Sequence, residues 1–157
     1  MNFEAMTLGE ARRWLASKLG NGIACPCCGQ FAKVYRRRLN AGMALSLVQM
    51  YRSGGTDYVD VTRVCNRRGR EEGKLRFWGL IEEATERRED GGRAGWWRVT
   101  PKGVQFAHGR LPVNSYARVY NNHLLGFDGN LVTIAECLGR PFNLDELMED
   151  WRNDENE

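Results

Sequence analysis

Three of the chain's five cysteines fall within four residues, in the stretch Ala24-Cys25-Pro26-Cys27-Cys28-Gly29-Gln30. Cys25 and Cys28 have the Cys-x-x-Cys spacing that can place two thiolates on one metal, and Gly29 permits the tight turn that follows. A structural zinc site takes four ligands in a tetrahedron, and no second Cys-x-x-Cys occurs in the 157 residues. Zinc as a cofactor therefore needs ligands from elsewhere. Cys65 is the favoured remote thiolate, with His108, His123, Cys137 or a partner subunit as the other sources, while Cys27, adjacent to Cys28, is badly placed for the same knuckle. Two other readings stay open. A Cys-x-x-Cys can be a redox pair, although the thioredoxin-like βαβ context is lacking. The stretch can also be a Pro-Cys turn with buried free thiols, since cysteine is among the most buried residue types.

The elements that must position these residues can be read from local signals. Thr7-Leu8-Gly9-Glu10 has the spacing of a helix capping box, followed by apolar Ala11, Trp14, Leu15 and Leu19, and Gly20 stops that helix. Residues 31–35 suit a short strand leaving the cysteine turn, and Arg36-Arg37-Arg38 separates this module from the next. Ala44, Leu47, Val48 and Tyr51 fall at i, i+3, i+4, i+7 on one helix face, widened by Leu45 and Met50, and Ser53-Gly54-Gly55 ends it. Residues 58–61 are β-prone. Asp60 then caps a short helix through Val61, Val64 and Cys65. A second helix is predicted over about 70–78, a strand over 80–88, a turn at Asp90-Gly91-Gly92 and a return strand over 96–99. Thr100-Pro101 starts a further helix, because threonine caps well and proline is favoured at the first helical position.

That order, helix, short strand, two helices, two-stranded hairpin, helix, is the order of a winged helix. The wording of the hairpin agrees. Gly79-Leu80-Ile81 and Arg98-Val99-Thr100-Pro101-Lys102-Gly103 resemble the strand and the return into a helix around the wing of winged-helix regulators of the MarR and PadR kinds, over about residues 39–109. The resemblance implies a recognition helix at about 70–78 lying in the major groove of double-stranded DNA, with the wing reaching backbone or minor groove. Carried onto this chain, the DNA-binding candidates are Arg67, Arg68, Arg70, Lys74 and Arg76, with Arg87, Arg88 and Arg93 on or beside the wing. Leu75 and one of Phe77 or Trp78 are expected to face the core. Glu71 and Glu72 fall in the first turn, where they would repel phosphates or select cytosine. Glu82, Glu83, Glu86, Glu89 and Asp90 interleave with the arginines of the wing. A winged helix used to dock a protein would show the same mixture.

A basic body with an acidic tail is the pattern expected for nucleic-acid contact plus a second surface, and equally that of a solvated charged surface with arginines drawn from a GC-rich genome. Residues 1–118 hold 21 Lys/Arg against 11 Asp/Glu, whereas residues 119–157 hold 2 against 9, and the whole chain carries +3. Nineteen of the 23 basic residues are arginine, whose planar fork suits phosphate better than a lysine point charge does. In Trp96-Trp97 one ring is expected to pack inward while its neighbour lies on the opposite face of the strand.

The C-terminal part reads as a hairpin, 124–127 and 131–132, joined by Asp128-Gly129, then a short helix capped at Thr133 and closed by Gly139. A last helix from Asn143 carries Leu144, Leu147, Met148 and Trp151 at helical spacing. This acidic unit suggests packing, dimerisation, a protein partner, or a cover for the basic face. His108 and His123 stand in no acid–base motif, and neither a phosphate-binding glycine loop nor a Ser/His/Asp signature occurs, so no enzymatic activity is expected. Composition, 42% hydrophobic and 27% charged, describes a globular chain. The first 15 residues lack the apolar run of a signal peptide, and a cytoplasmic location is expected. The fold class expected is α+β, with an N-terminal helix and cysteine module (1–38), a winged-helix domain (39–110) and a C-terminal hairpin and helical unit (111–157). The expected function is a homodimeric DNA-binding transcriptional regulator of phage or mobile-element type. The alternative is an adaptor or inhibitor that binds a polymerase or nuclease complex with little DNA affinity.

Overall fold

The computed structural model describes residues 2–65, 71–85 and 95–139 of an α+β chain. Two compact units divide it: Met1–Arg37 with Arg118–Gly126, and Arg38–Ala117 with Phe127–Glu157.

In the first unit a 3₁₀ turn, Phe3–Ala5, precedes helix α1, Leu8–Lys18. The expected capping box is formed in both directions: Glu10 N donates to Thr7 Oγ1 at 3.2 Å and Thr7 N donates to Glu10 Oε2 at 2.8 Å. Two of the orphan donors of the first turn are thereby satisfied. Phe3 packs edge-on against Trp14, with ring centroids 4.8 Å apart. Strands β1, Ile23–Ala24, and β2, Phe31–Ala32, pair antiparallel around the cysteine turn. The arginine run expected to separate modules is instead strand β3, Tyr35–Arg38.

The second unit is built on helix α2, Ala41–Gly54. Asn40 caps it, accepting from Met43 N at 2.9 Å, and Gly55, at φ +60°, ends it. Most of the face anticipated from spacing is buried: Ala44, Leu47, Val48 and Met50 are each fully enclosed, while Leu45 and Tyr51 are half-buried. Strand β4, Val59–Asp60, leads into helix α3, Val61–Val64, with Asp60 as N-cap accepting from Thr62 N at 3.0 Å. A 3₁₀ helix, Glu72–Trp78, strand β5, Ile81–Glu83, strand β6, Trp96–Val99, and helix α4, Pro101–Ala107, follow. The sheet order is β4-β6-β5, antiparallel throughout, with Val59 opposite Trp97 and Ile81 opposite Val99. Strand alternation sends Trp97 and Val99 inward and Arg98 outward, and Trp96 is half-buried. Thr100 caps α4 as expected, accepting from Gly103 N at 3.0 Å, with Pro101 at the first helical position.

Three expectations are corrected. Residues 72–78 form a 3₁₀ helix, and both Phe77 and Trp78 are buried rather than one of them. A 3₁₀ helix repeats every three residues, so Glu72, Leu75 and Trp78 stack on one side, and that side faces the core. Second, the C-terminal hairpin does not turn at Asp128-Gly129. Strands β7, Val113–Tyr120, and β8, His123–Val132, are joined by Asn121-Asn122, both at positive φ, 47° and 64°. Two consecutive left-handed residues make the mirror-image turn whose twist matches paired strands, and asparagine tolerates that conformation best among non-glycine residues. Gly129 lies inside β8 at φ +80°, where a Cβ would overlap the Ser115 side chain. The glycine therefore marks a close approach of neighbouring strands rather than a turn. Third, the strand expected over 80–88 ends at Glu83, with Ala84 and Thr85 outside it. The third sheet has the order β3-β7-β8.

Helix α5, Ile134–Leu138, is capped by Thr133, closes at Gly139 and packs on α2, as do α3, α4, the 3₁₀ helix, β4 and β6. The last helix expected from Asn143 lies outside the described residues. No helix among those described is long and apolar enough to cross a membrane.

Gly103 lets α4 sit directly on the residue before β5: a Cβ there would overlap the Leu80 carbonyl oxygen and meet Val99 Cγ1 at 2.7 Å. Gly103→Ala, normally favourable within a helix, is therefore expected to destabilise the fold by about 1–3 kcal/mol through overpacking. A urea-unfolding midpoint equal to or above that of the unaltered protein would contradict this packing.

Candidate functional site

The cysteine turn is a closed hairpin end. Ile23 pairs with Ala32 and Ala24 with Phe31. Cys25 N donates to Gln30 O at 2.8 Å, Gly29 N donates to Cys25 O at 2.8 Å, and Gly29 adopts φ +75°. Within it Cys25 is half-buried, whereas Cys27 and Cys28 are exposed. The backbone N–H groups of Cys27 and Cys28 point at the Cys25 sulfur and hold its pKa below the ordinary thiol value. Partial burial opposes them, and the thiols of Cys28 and Cys27 add weaker support. Hydrogen bonds donated to a sulfur favour its anion, the form that binds metals and attacks electrophiles. Sequence spacing identifies Cys25 and Cys28, but only the folded turn distinguishes Cys25 as the sulfur that backbone donors serve.

The remote ligands considered from sequence are each placed. Cys65, the C-cap of α3, is buried in the second unit, its Sγ donating to Ser46 O at 3.6 Å. Cys137, on α5, has its pKa raised from 9.0 to about 11, first by burial and then by the neighbouring Glu136 carboxylate, with Arg38 opposing. His108 is the C-cap of α4, its Nε2 3.0 Å from the Tyr51 hydroxyl and its ring edge-on to that tyrosine. His123 is the exposed first residue of β8, in the first unit. Among the described residues no group of three or more His, Cys, Asp or Glu side chains is brought together in an arrangement that could hold a metal ion.

Of the eight basic residues assigned to DNA contact, the described ones are Lys74 and Arg76; Arg67, Arg68, Arg70, Arg87, Arg88 and Arg93 lie outside the described residues. Both sit on the 3₁₀ helix and are half-exposed. Lys74 Nζ donates to Glu71 Oε1 at 3.0 Å, and Arg76 lies over the Phe77 ring at 4.8 Å. Glu71 also accepts from Asn40 Nδ2 at 2.8 Å, so the residue that caps α2 also fixes the start of the 3₁₀ helix. The two glutamates expected together at the reading surface thus separate: Glu71 is half-exposed and ion-paired, and Glu72 is buried at 5% exposure. Two exposed cations were missed from sequence. Arg98 projects from β6, pairs with Glu82 opposite it on β5 and covers the Tyr58 ring. Arg63, on α3, leaves 86% of its side chain exposed. Alternation in Trp97-Arg98-Val99 and the helical spacing from Val61 were the signals that could have found them.

No family model matches the chain, and neither a curated protein nor a solved structure is similar enough to match it. The class that fold and site define is an α+β protein with a small helix-rich unit on a three-stranded sheet and a cysteine-tipped hairpin.

The thiols can be ranked by access. In reduced, chelator-treated native protein, an alkylating reagent at neutral pH is expected to modify Cys25, Cys27 and Cys28 well before Cys65 and Cys137. Cys137 keeps its proton up to about pH 11 in the fold but ionises near 9.0 when released, so rising pH between those values should favour unfolding. Peptide mass mapping that finds Cys137 labelled as fast as Cys27 in folded protein would contradict the burial assigned to it.

Proposed function

We propose that residues 39–109 form a winged-helix domain that binds double-stranded DNA, as a non-enzymatic transcriptional regulator. The observation that carries this reading is the strand order β4-β6-β5 with α3 and the 3₁₀ helix inserted between β4 and β5. A hairpin, β5 to β6, then returns directly into α4, and this is the element order of winged-helix domains. The burial of Glu72 removes one of the two acidic side chains that counted against a phosphate-facing surface. Surface ion pairs such as Lys74 with Glu71 contribute only about 0–1 kcal/mol, so a phosphate can displace the carboxylate at little cost. Cations from α3, the 3₁₀ helix and β6 add to the arginine-rich segments on either side. One observation favours the adaptor reading. Lys74 and Arg98 both carry carboxylate partners already, a mixed surface of the kind that docks proteins.

Fluorescence anisotropy on a random duplex, across a salt series, separates the two. Non-specific affinity of roughly 10⁻⁴–10⁻⁶ M at physiological salt is expected, strengthening steeply at low salt. Arg67→Ala/Arg68→Ala and Lys74→Ala/Arg76→Ala should each flatten the salt slope by about 0.9 for every phosphate left without its cation. Glu71→Gln, which keeps a side-chain oxygen for Asn40 Nδ2 but removes the charge that holds Lys74, should preserve or improve binding. No binding at low salt, with folded protein, would remove the DNA reading and leave the adaptor.

A further inference from the structure

The hairpin formed by β1 and β2 presents two cysteines at Cys-x-x-Cys spacing on a closed turn. Cys25 and Cys28 stand at the tip, three residues apart across a turn closed by Cys25 N to Gln30 O and Gly29 N to Cys25 O. The tip holds no bulky side chain beyond the cysteines, Pro26 and Gln30, and Cys28 is exposed. Gly22, at φ +84°, lets the Phe31 ring lie against the base of the hairpin, since a Cβ there would overlap the ring. The backbone of the turn is thus held by its own hydrogen bonds and packing before any metal arrives, which lowers the ordering cost of binding.

Two thiolates are half of what zinc requires. The first unit contains no other cysteine than Cys27, whose neighbour Cys28 competes for the same turn, and a single histidine, His123. Among the described residues those side chains are not gathered with an acidic residue into a set of three. The remaining sulfurs and histidine belong to the other unit and are engaged there. Cys65 is buried and bonded to Ser46 O, His108 faces the Tyr51 hydroxyl, and burial keeps Cys137 protonated. Among the described residues, then, no third ligand stands with Cys25 and Cys28, and a second chain can supply the two that a tetrahedral thiophilic cation still needs. A second copy offers the same pair in the same geometry, and a two-fold axis through the metal satisfies four-coordination without any new residue type.

We propose that the cysteine hairpin is a metal-bridged dimerisation device: one zinc ion bound by Cys25 and Cys28 of one copy and the same two residues of a second. Binding releases the thiol protons of these four side chains, so assembly weakens as pH falls. The device is independent of whether the second unit binds DNA.

The test uses full-length protein purified reduced and without chelator, with zinc quantified by elemental analysis and mass measured by light scattering and native mass spectrometry. The expected result is one zinc per two chains in a dimer that becomes monomeric when a strong chelator removes the metal and reforms when zinc is returned. Cobalt substituted for zinc should give thiolate charge-transfer bands and the intense visible absorption of a tetrahedral site at the same stoichiometry. Cys25→Ser and Cys28→Ser should each abolish metal and dimer, whereas Cys27→Ser should keep both. Because chelation of the unaltered protein gives the same readout, a variant that fails to fold does not decide the matter. One zinc per chain in a monomer, a dimer that persists without metal, or no zinc uptake at all would each overturn the proposal.

Discussion

Helix α2 is the constraint on which the larger unit depends. Met43, Ala44, Leu47, Val48 and Met50 are between 0% and 2% exposed, and every helix of that unit among the described residues, together with β4 and β6, packs against this one surface. Burying a side chain of this size contributes about 1.5–3 kcal/mol, whereas each surface ion pair contributes about 0–1 kcal/mol. The fold of this unit is therefore fixed chiefly by α2 and its apolar neighbours, with surface charge pairs such as Lys74–Glu71 and Arg98–Glu82 contributing little. Lys74 and Arg98 can exchange their carboxylate partners for another anion without disturbing the core.

The same helix orients the 3₁₀ segment Glu72–Trp78. Asn40 caps α2 with its side-chain oxygen and holds Glu71 with its amide, while Trp78 Nε1 donates to Asn114 O at 2.7 Å at the other end of the 3₁₀ helix. Between those two anchors the three-residue repeat turns Glu72, Leu75 and Trp78 to the core. Lys74 and Arg76 fall off that stripe and stay half-exposed. On this segment an acidic residue, Glu72, is thus turned inward with Leu75 and Trp78, while Phe77, on the Lys74 side, is buried as well.

What was legible in the sequence was local. The Thr7 capping box, most of the face of α2, Asp60 as a cap, the inward Trp97, and Thr100-Pro101 all rest on interactions within four residues or on simple periodicity. What was not legible depends on distant partners. Whether residues 72–78 wind as α or 3₁₀ depends on the core that receives Leu75, Phe77 and Trp78. Asp128-Gly129 carries a stronger turn signal than Asn121-Asn122, yet strand pairing places the turn at the asparagines. Arg36-Arg37-Arg38 looked like a linker because a strand's partner is invisible in its own residues. The cysteine spacing was plain, but the N–H groups serving Cys25 emerge only from the folded turn.

The proposed winged-helix reading makes one central claim, that Lys74 and Arg76 on the 3₁₀ helix and Arg98 on β6 meet the phosphate backbone of duplex DNA. Residue-resolved amide chemical shifts recorded while random duplex is titrated at low salt test that most directly. The reading calls for perturbations at residues 72–78 and 96–99, reversed on adding salt, with the buried face of α2 little changed. Shifts confined to residues 1–37, or none in folded protein at low salt, would contradict it.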